Sequence, residues 1–295
     1  MKQPVWSPDH KKITYATGSY GRATLWTINA DGTGVHRLTR SKHFAMPASW
    51  APGGNRLVAQ GRFGLVILGA NGKHRHSLVE TVSATAQCPQ WSSDGHRIVY
   101  FDYSSSLTGE SSIFTVRPDG SRQRQVTDGS SFDYNAVWSP NGRRILFGRD
   151  TNNAGLLSSS QISLFTVRPN GTHVKELTDL GDGENAWKWG WSPDGREIVY
   201  TKTTDDGGSA HASIWVMRAN GSHPIEVASD VPFDDNLVPS WSPDGKKIVF
   251  GTQNDAAIGV ADADGSGWKR LNGPGARAAD SPAWYSRAES CPVPR

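Results

Sequence analysis

Short apolar runs, each closed by turn-forming residues, follow one another along the whole chain. Arg97-Ile98-Val99-Tyr100 and Lys247-Ile248-Val249-Phe250 come directly after a turn. Leu25-Trp26-Thr27-Ile28, Ile113-Phe114-Thr115-Val116, Leu164-Phe165-Thr166-Val167 and Ile214-Trp215-Val216-Met217 each run into Asp-Gly or Asn-Gly. Those dipeptides accept the positive φ angles of tight hairpins, so both kinds of run predict antiparallel strands. A shorter run closes each unit, as in Arg37-Leu38-Thr39, Gln125-Val126-Thr127, Glu176-Leu177-Thr178 and Arg270-Leu271.

One signature sets the period. A Trp followed by a Ser-Pro-Asp-Gly-like turn recurs at Trp6, Trp50, Trp91, Trp138, Trp191 and Trp241, at intervals of 44, 41, 47, 53 and 50 residues. This spacing is that of a propeller blade. A single four-stranded sheet leaves two apolar faces uncovered, so copies must stack radially until few edges remain. The expectation is an all-β, six-bladed β-propeller of four-stranded antiparallel blades, forming a single domain over 1–286 with a C-terminal tail over 287–295. Ser281-Pro282-Ala283-Trp284 repeats only the innermost strand, and an incomplete seventh blade is the alternative. In this reading the Trp packs blade on blade and the turn is structural, with Pro presetting φ.

Composition narrows the class. The chain has 295 residues, two Cys and a net charge of +3. No long apolar run exists and the mean hydropathy is −0.52, which argues against membrane insertion and against a disulfide-dense miniprotein. The small charge balance gives no reason to expect nucleic acid as a partner. Met1 to Trp6 lacks the charged, apolar and small-residue succession of a secretory signal, so the compartment stays open between an intracellular protein and one whose leader lies upstream.

The repeated Trp-Ser-Pro-Asp-Gly turns resemble the propeller repeats of the TolB family, which also occur in the propellers of prolyl oligopeptidase-like enzymes. The resemblance spans residues 3 to about 285. It implies a bacterial-type binding scaffold, often exported, whose channel or rim engages a protein or peptide. Two departures accompany it. No small α/β domain precedes the first repeat, and no Gly-x-Ser-x-Gly elbow is present, so neither parent's effector part is expected here.

The turns after the first and third strands of a blade share one face, and the links after the second and fourth share the other. The first face carries Lys11, Lys12, Arg56, Arg97, Arg143, Arg144, Lys246 and Lys247, diluted by Asp9, Asp94, Asp194 and Asp244, and reads as solvated strand starts. The second face carries longer polar links at 101–112, 148–162 and 201–212, where binding is usually placed. Just before the innermost strands stand Asp133 and Tyr134, Asp182 and Glu184, Asp234 and Asp235, and Asp280, while the first two repeats present Arg22, Arg40, Lys42, His43 and Arg62. Carboxylates converging on one opening would draw a basic peptide. Each could equally accept backbone N–H bonds in its own loop. The candidate ligand-binding set is therefore His43, Asp133, Tyr134, Glu184, Trp187, Asp234, Asp235 and Asp280.

Trp187, Trp189 and Trp191 alternate along a strand and project to one side. Burial is expected for Trp189 and partial exposure for Trp187, which is nearer the loop. His74 and His76 lack metal spacing, and Thr203 to Gly208 resembles a calcium loop only in composition, so no metal and no cofactor is expected. Asn170-Gly171-Thr172 and Asn220-Gly221-Ser222 fit the glycosylation pattern but are explained by hairpin turns. Cys88 falls in an innermost strand and Cys291 in the tail; free thiols are the default, with a disulfide pinning the tail as the other arrangement.

The function expected from these residues is a non-enzymatic scaffold binding a protein or peptide at the loop-rich face and channel mouth. The alternative is a polysaccharide- or glycan-processing enzyme that uses paired mouth carboxylates as acid and base. A pair with one strongly raised pKa would favour the enzyme, and scattered carboxylates would favour binding.

Overall fold

The computed structural model describes residues 2–18, 23–39, 45–81, 86–103, 110–152, 160–205, 210–231, 238–251 and 258–271. In chain order the strands are β1 (Lys2–Trp6), β2 (Lys12–Thr17), β3 (Thr24–Asn29), β4 (His36–Arg37), β5 (Ala45–Trp50), β6 (Arg56–Gly61), β7 (Gly64–Gly69) and β8 (His76–Glu80). There follow β9 (Ala86–Trp91), β10 (Ile98–Tyr103), β11 (Ser111–Val116), β12 (Arg124–Gln125), β13 (Phe132–Trp138), β14 (Ile145–Asp150), β15 (Ile162–Val167) and β16 (Lys175–Glu176). The last are β17 (Glu184–Trp191), β18 (Glu197–Asp205), β19 (Ala210–Arg218), β20 (Ile225–Val231), β21 (Ser240–Trp241), β22 (Lys247–Gly251), β23 (Ile258–Asp262) and β24 (Lys269–Arg270).

The fold is an all-β propeller, but its division into sheets corrects the expectation of six separate blades. Four blades are four-stranded antiparallel sheets: β1 to β4, β5 to β8, β17 to β20 and β21 to β24. Strands β9 to β16 instead form one eight-stranded sheet. The join is a short parallel contact between β11 and β13, where Ser111 pairs with Phe132. Ser111 N donates to Ser131 O at 3.3 Å and its hydroxyl donates to Asp133 O at 2.5 Å. Side-chain packing alone was expected at this boundary, and backbone pairing replaces it because a small Ser lets the two strands meet. The alternative copy at Ser281–Trp284 lies outside the described residues.

The cores lie between successive sheets. Leu25 and Leu38 of the first sheet pack with Trp50, Leu57 and Leu68 of the second. Val58, Leu65 and Ile67 pack in turn with Trp91, Ile98 and Tyr100. Trp50 and Trp91 are thus wedges between successive sheets. Trp50 Nε1 reaches Val5 O and Trp241 Nε1 reaches Gly190 O, both at 3.4 Å. Trp91 N donates to Ser49 Oγ at 3.2 Å and Trp138 N to Gln90 Oε1 at 2.9 Å.

A second set of ties runs round the rim. His36 Nε2 meets Asn71 O, His76 Nε2 meets Pro118 O, Arg124 donates to Asn170 O and Lys175 to Asn220 O. The hairpin Gly is part of the same contact. Gly171 sits at φ +80°, and a Cβ there would lie 2.9 Å from Val126 O of the preceding unit. Asn-Gly therefore serves the turn and the blade interface together.

Candidate functional site

The repeated turn organises one end of the axis. In the first unit Ser7 N donates to Lys12 O at 2.8 Å, Lys12 N donates back to Ser7 Oγ at 2.9 Å, and the Ser7 hydroxyl donates to Asp9 Oδ1 at 2.7 Å. The same knot forms around Ser92, Ser139, Ser192 and Ser242, with Asn141 in place of Asp in one case. The Ser hydroxyl holds the turn shut and leaves the flanking Trp and Pro facing the axis.

The innermost strands share a second feature. Register shifts occur at the same place in β1, β5, β9, β13 and β17, a few residues before the repeated Trp. Cys88, Asn135 and Lys188 stand three residues before Trp91, Trp138 and Trp191, at φ of +53°, +52° and +46°. A bulge adds one residue and re-aims the side chains around it. The sequence reading missed this series; its signal is the break in strict alternation just ahead of each Trp.

Between the bulges and the turns lies a cavity of about 390 Å³. All six Trp-containing turns contribute to its wall, together with Cys88, Gln90, Asn135 and Trp189. Among the described residues no Asp, Glu, Lys or Arg lines it, and one His, His10, does. A neutral wall of indole, proline and serine accepts uncharged groups and holds no acid and base pair of its own. Among the described residues no group of three or more His, Cys, Asp and Glu could hold a metal ion.

The opposite end of the innermost strands is charged. Asp133, wholly buried, accepts Arg149 Nε at 2.6 Å and Nη2 at 2.8 Å, and the guanidinium lies over Phe147 and Phe165. Burial pushes the Asp133 carboxyl above the ordinary carboxylate range, while the Arg149 bonds and charge pull the other way. Glu184 accepts Lys202 Nζ at 2.8 Å and Gly181 N at 3.0 Å, and the Lys202 bond holds its carboxyl below the ordinary value. Tyr134 is buried, with ring centroids 5.6 Å from Trp189 and 6.5 Å from Trp187.

Of the sequence-derived candidates, the structure brings Tyr134 and Trp187 together and gives Asp133 and Glu184 each a cation. Arg149 and Lys202 were not anticipated, although Arg149 lies directly across the ladder from Asp133. His43, Asp234, Asp235 and Asp280 lie outside the described residues. Trp189 is 1% exposed and Trp187, nearer the loop, is half-buried, as the sequence leads one to expect. Trp189 Nε1 donates to Asn135 O at 3.2 Å. His74 and His76 are exposed, and the Asn170 and Asn220 side chains cap their own hairpins. The default of free thiols is corrected: no described cysteine is free, and Cys88 is disulfide-bonded.

Successive antiparallel sheets around a lined axial cavity define a β-propeller as a class. The chain belongs to the TolB beta propeller domain family, whose pattern matches residues 1–163 and 60–288. A TolB homolog of Chlorobium luteolum is 29% identical over 139 residues, 46% of this chain and 30% of that protein. An uncharacterized protein of Agrobacterium fabrum is 33% identical over 116 residues, 39% of each. The matched stretches thus span well under half the length of these relatives. Among solved structures, an oligogalacturonate lyase of Vibrio parahaemolyticus has a TM-score of 0.70 at 14% identity, covering 91% of this chain and 76% of that one. TolB of Acinetobacter baumannii has a TM-score of 0.62 at 18% identity, covering 89% and 63%. At such identities these structures share the fold alone.

Proposed function

We propose that this chain is a non-enzymatic propeller scaffold that binds a protein or peptide, and that an uncharged segment of the partner enters the axial cavity between the Trp-Ser-Pro turns. The observation that carries this reading is the wall itself: all six Trp-containing turns contribute to it, and among the described residues no carboxylate or strong cation does. Trp and Pro faces offer stacking area at small entropic cost, and Ser and Asn groups offer hydrogen bonds to a backbone. The loop end supplies a second contact surface in this reading, with Trp187 its half-buried aromatic. A glycan-processing reading needs a carboxylate pair available for acid and base work. The two described candidates, Asp133 and Glu184, are each engaged by a cation.

Ser93 tests the proposal. It lines the cavity, is partly exposed, and stands where other turns have Pro. Peptides selected by display against the full chain, with and without dithiothreitol, should lose about tenfold or more in affinity for Ser93→Trp, equivalent to about 1.4 kcal/mol, while the melting temperature stays put. Unchanged affinity in a folded Ser93→Trp variant would remove the cavity from the account.

A further inference from the structure

We propose, resting on the binding role given above, that the segment entering this cavity is a proline-rich stretch of the partner in the polyproline conformation, its backbone carbonyls taken by the indole N–H groups of Trp91, Trp138 and Trp191. Hydrogen-bonding capacity on the wall is unevenly spent. Within their own turns the hydroxyls of Ser7, Ser92, Ser139 and Ser192 donate to Asp9, Asp94, Asn141 and Asp194. The indoles of the second and sixth units are also engaged, Trp50 with Val5 O and Trp241 with Gly190 O. In the three units between them, Nε1 of Trp91, Trp138 and Trp191 is buried and meets no acceptor among the described residues. All three residues line the cavity, with Trp91 only 5% and Trp138 only 6% exposed. Gln90, on the same wall, accepts Trp138 N at 2.9 Å through Oε1, which leaves its NH2 to donate elsewhere.

An indole N–H donates and does not accept, and a buried donor left without an acceptor carries its full desolvation cost. The three units therefore ask for a row of acceptors. A polyproline chain supplies them: it makes no internal hydrogen bonds, its carbonyls point outwards at about three residues per turn, and each Pro lacks the N–H that would itself need a partner. The Pro rings are uncharged and pack on Trp and Pro faces such as those of Trp91, Trp138, Pro52 and Pro140, the mode by which proline-rich segments dock on aromatic grooves.

Other segments match fewer of these features. A β-type strand brings one N–H for every C=O, and a segment rich in Lys or Asp would bury its charge against a wall that, among the described residues, has no Asp, Glu, Lys or Arg to pair with it. A polyproline chain is also stiff before it binds, so little conformational freedom is lost when it enters.

Decaproline titrated into the full native chain is the test, run under dithiothreitol because Cys88 on the same wall is disulfide-bonded. Parallel titrations use an uncharged Gly-Ser decamer and cellohexaose. In isotope-labelled protein, decaproline should move the indole N–H proton resonances of Trp91, Trp138 and Trp191 downfield and leave those of Trp50 and Trp241 in place. By calorimetry it should bind about tenfold or more tightly than the Gly-Ser decamer, and Trp138→Phe, which removes one N–H and keeps a ring, should weaken decaproline about fivefold. The resonances come from the native chain, so a folding defect in Trp138→Phe does not spare the claim. Equal affinity for the two decamers, unmoved indole protons, or shifts produced by cellohexaose and not by decaproline would each overturn the proposal. Display-selected peptides without Pro that lose affinity in Ser93→Trp, while decaproline fails to bind, would overturn the proline-rich partner and leave the cavity's binding role standing; no peptide in the cavity at all would remove both.

Discussion

The two ends of the innermost strands solve the problem of buried polarity in different ways. At the turn end five of the six units tie their own turn through a Ser hydroxyl and an Asp or Asn side-chain oxygen, and the described residues of the cavity wall carry no Asp, Glu, Lys or Arg. At the loop end polarity is settled between strands, by Asp133 with Arg149 on β14 and by Glu184 with Lys202 on β18. Repetition produces a uniform, neutral, concave surface. Departure from the repeat produces individual ion pairs, each specific to one sheet.

The largest effect expected from this contrast is at the buried pair. Arg149→Leu leaves the Asp133 carboxylate without its cation in a site closed to water, and should cost about 3–5 kcal/mol in denaturant unfolding. Recovery of most of that loss in the Arg149→Leu/Asp133→Asn double variant would show that the uncompensated charge is the cause. Next comes the aromatic cluster that separates the two ends. A Cβ at Gly148 would run into the Trp189 ring, so Gly148→Ala should destabilise by about 1–3 kcal/mol through overpacking. A smaller change is expected at the turn knot. Ser242→Ala removes one hydroxyl that both donates and accepts, for a loss of about 1 kcal/mol, and the natural Ala51 shows that one turn already folds without it.

The weakest and most distributed effect is with acid. Asp9 and Asp244 are held below the ordinary 3.8 by the Ser7 and Ser242 hydroxyls, and Asp31, Asp119 and Asp264 by the Thr33, Ser121 and Ser266 hydroxyls. A carboxyl whose folded value is lowered contributes stability that is present above its unfolded value and disappears as pH falls through the folded one. Melting temperature should therefore be flat with respect to these groups above about pH 5 and fall below about pH 4. Asp9→Asn should flatten that fall slightly.

Much of the turn end was legible in the sequence, because the Trp, Pro and Asp-Gly signals are local and recur at one spacing. Strand order within a unit follows from the same periodicity. The joining of β9 to β16 into one sheet was not legible: it depends on Ser111 meeting Phe132 across a boundary, a contact with no local pattern. The sequence reading took its candidate residues from the loop end by loop length, and the lined cavity at the turn end was not legible because it depends on the bulges ahead of Trp91, Trp138 and Trp191. Asp133 and Glu184 were named from the sequence as candidate ligand-binding residues; that each faces a cation depends on the register of β13 on β14 and of β17 on β18. Cys88 was seen as an innermost-strand residue; that its side chain joins the cavity wall depends on a positive φ that sequence does not reveal.

Calorimetric titration of a display-selected peptide under dithiothreitol, run in parallel on the native chain, Ser93→Trp and Glu184→Gln, sets the two ends directly against each other. The account predicts affinity weakened about tenfold or more by Ser93→Trp and unchanged by Glu184→Gln. Loss of binding in Glu184→Gln with full affinity in Ser93→Trp would place recognition at the charged end and contradict it.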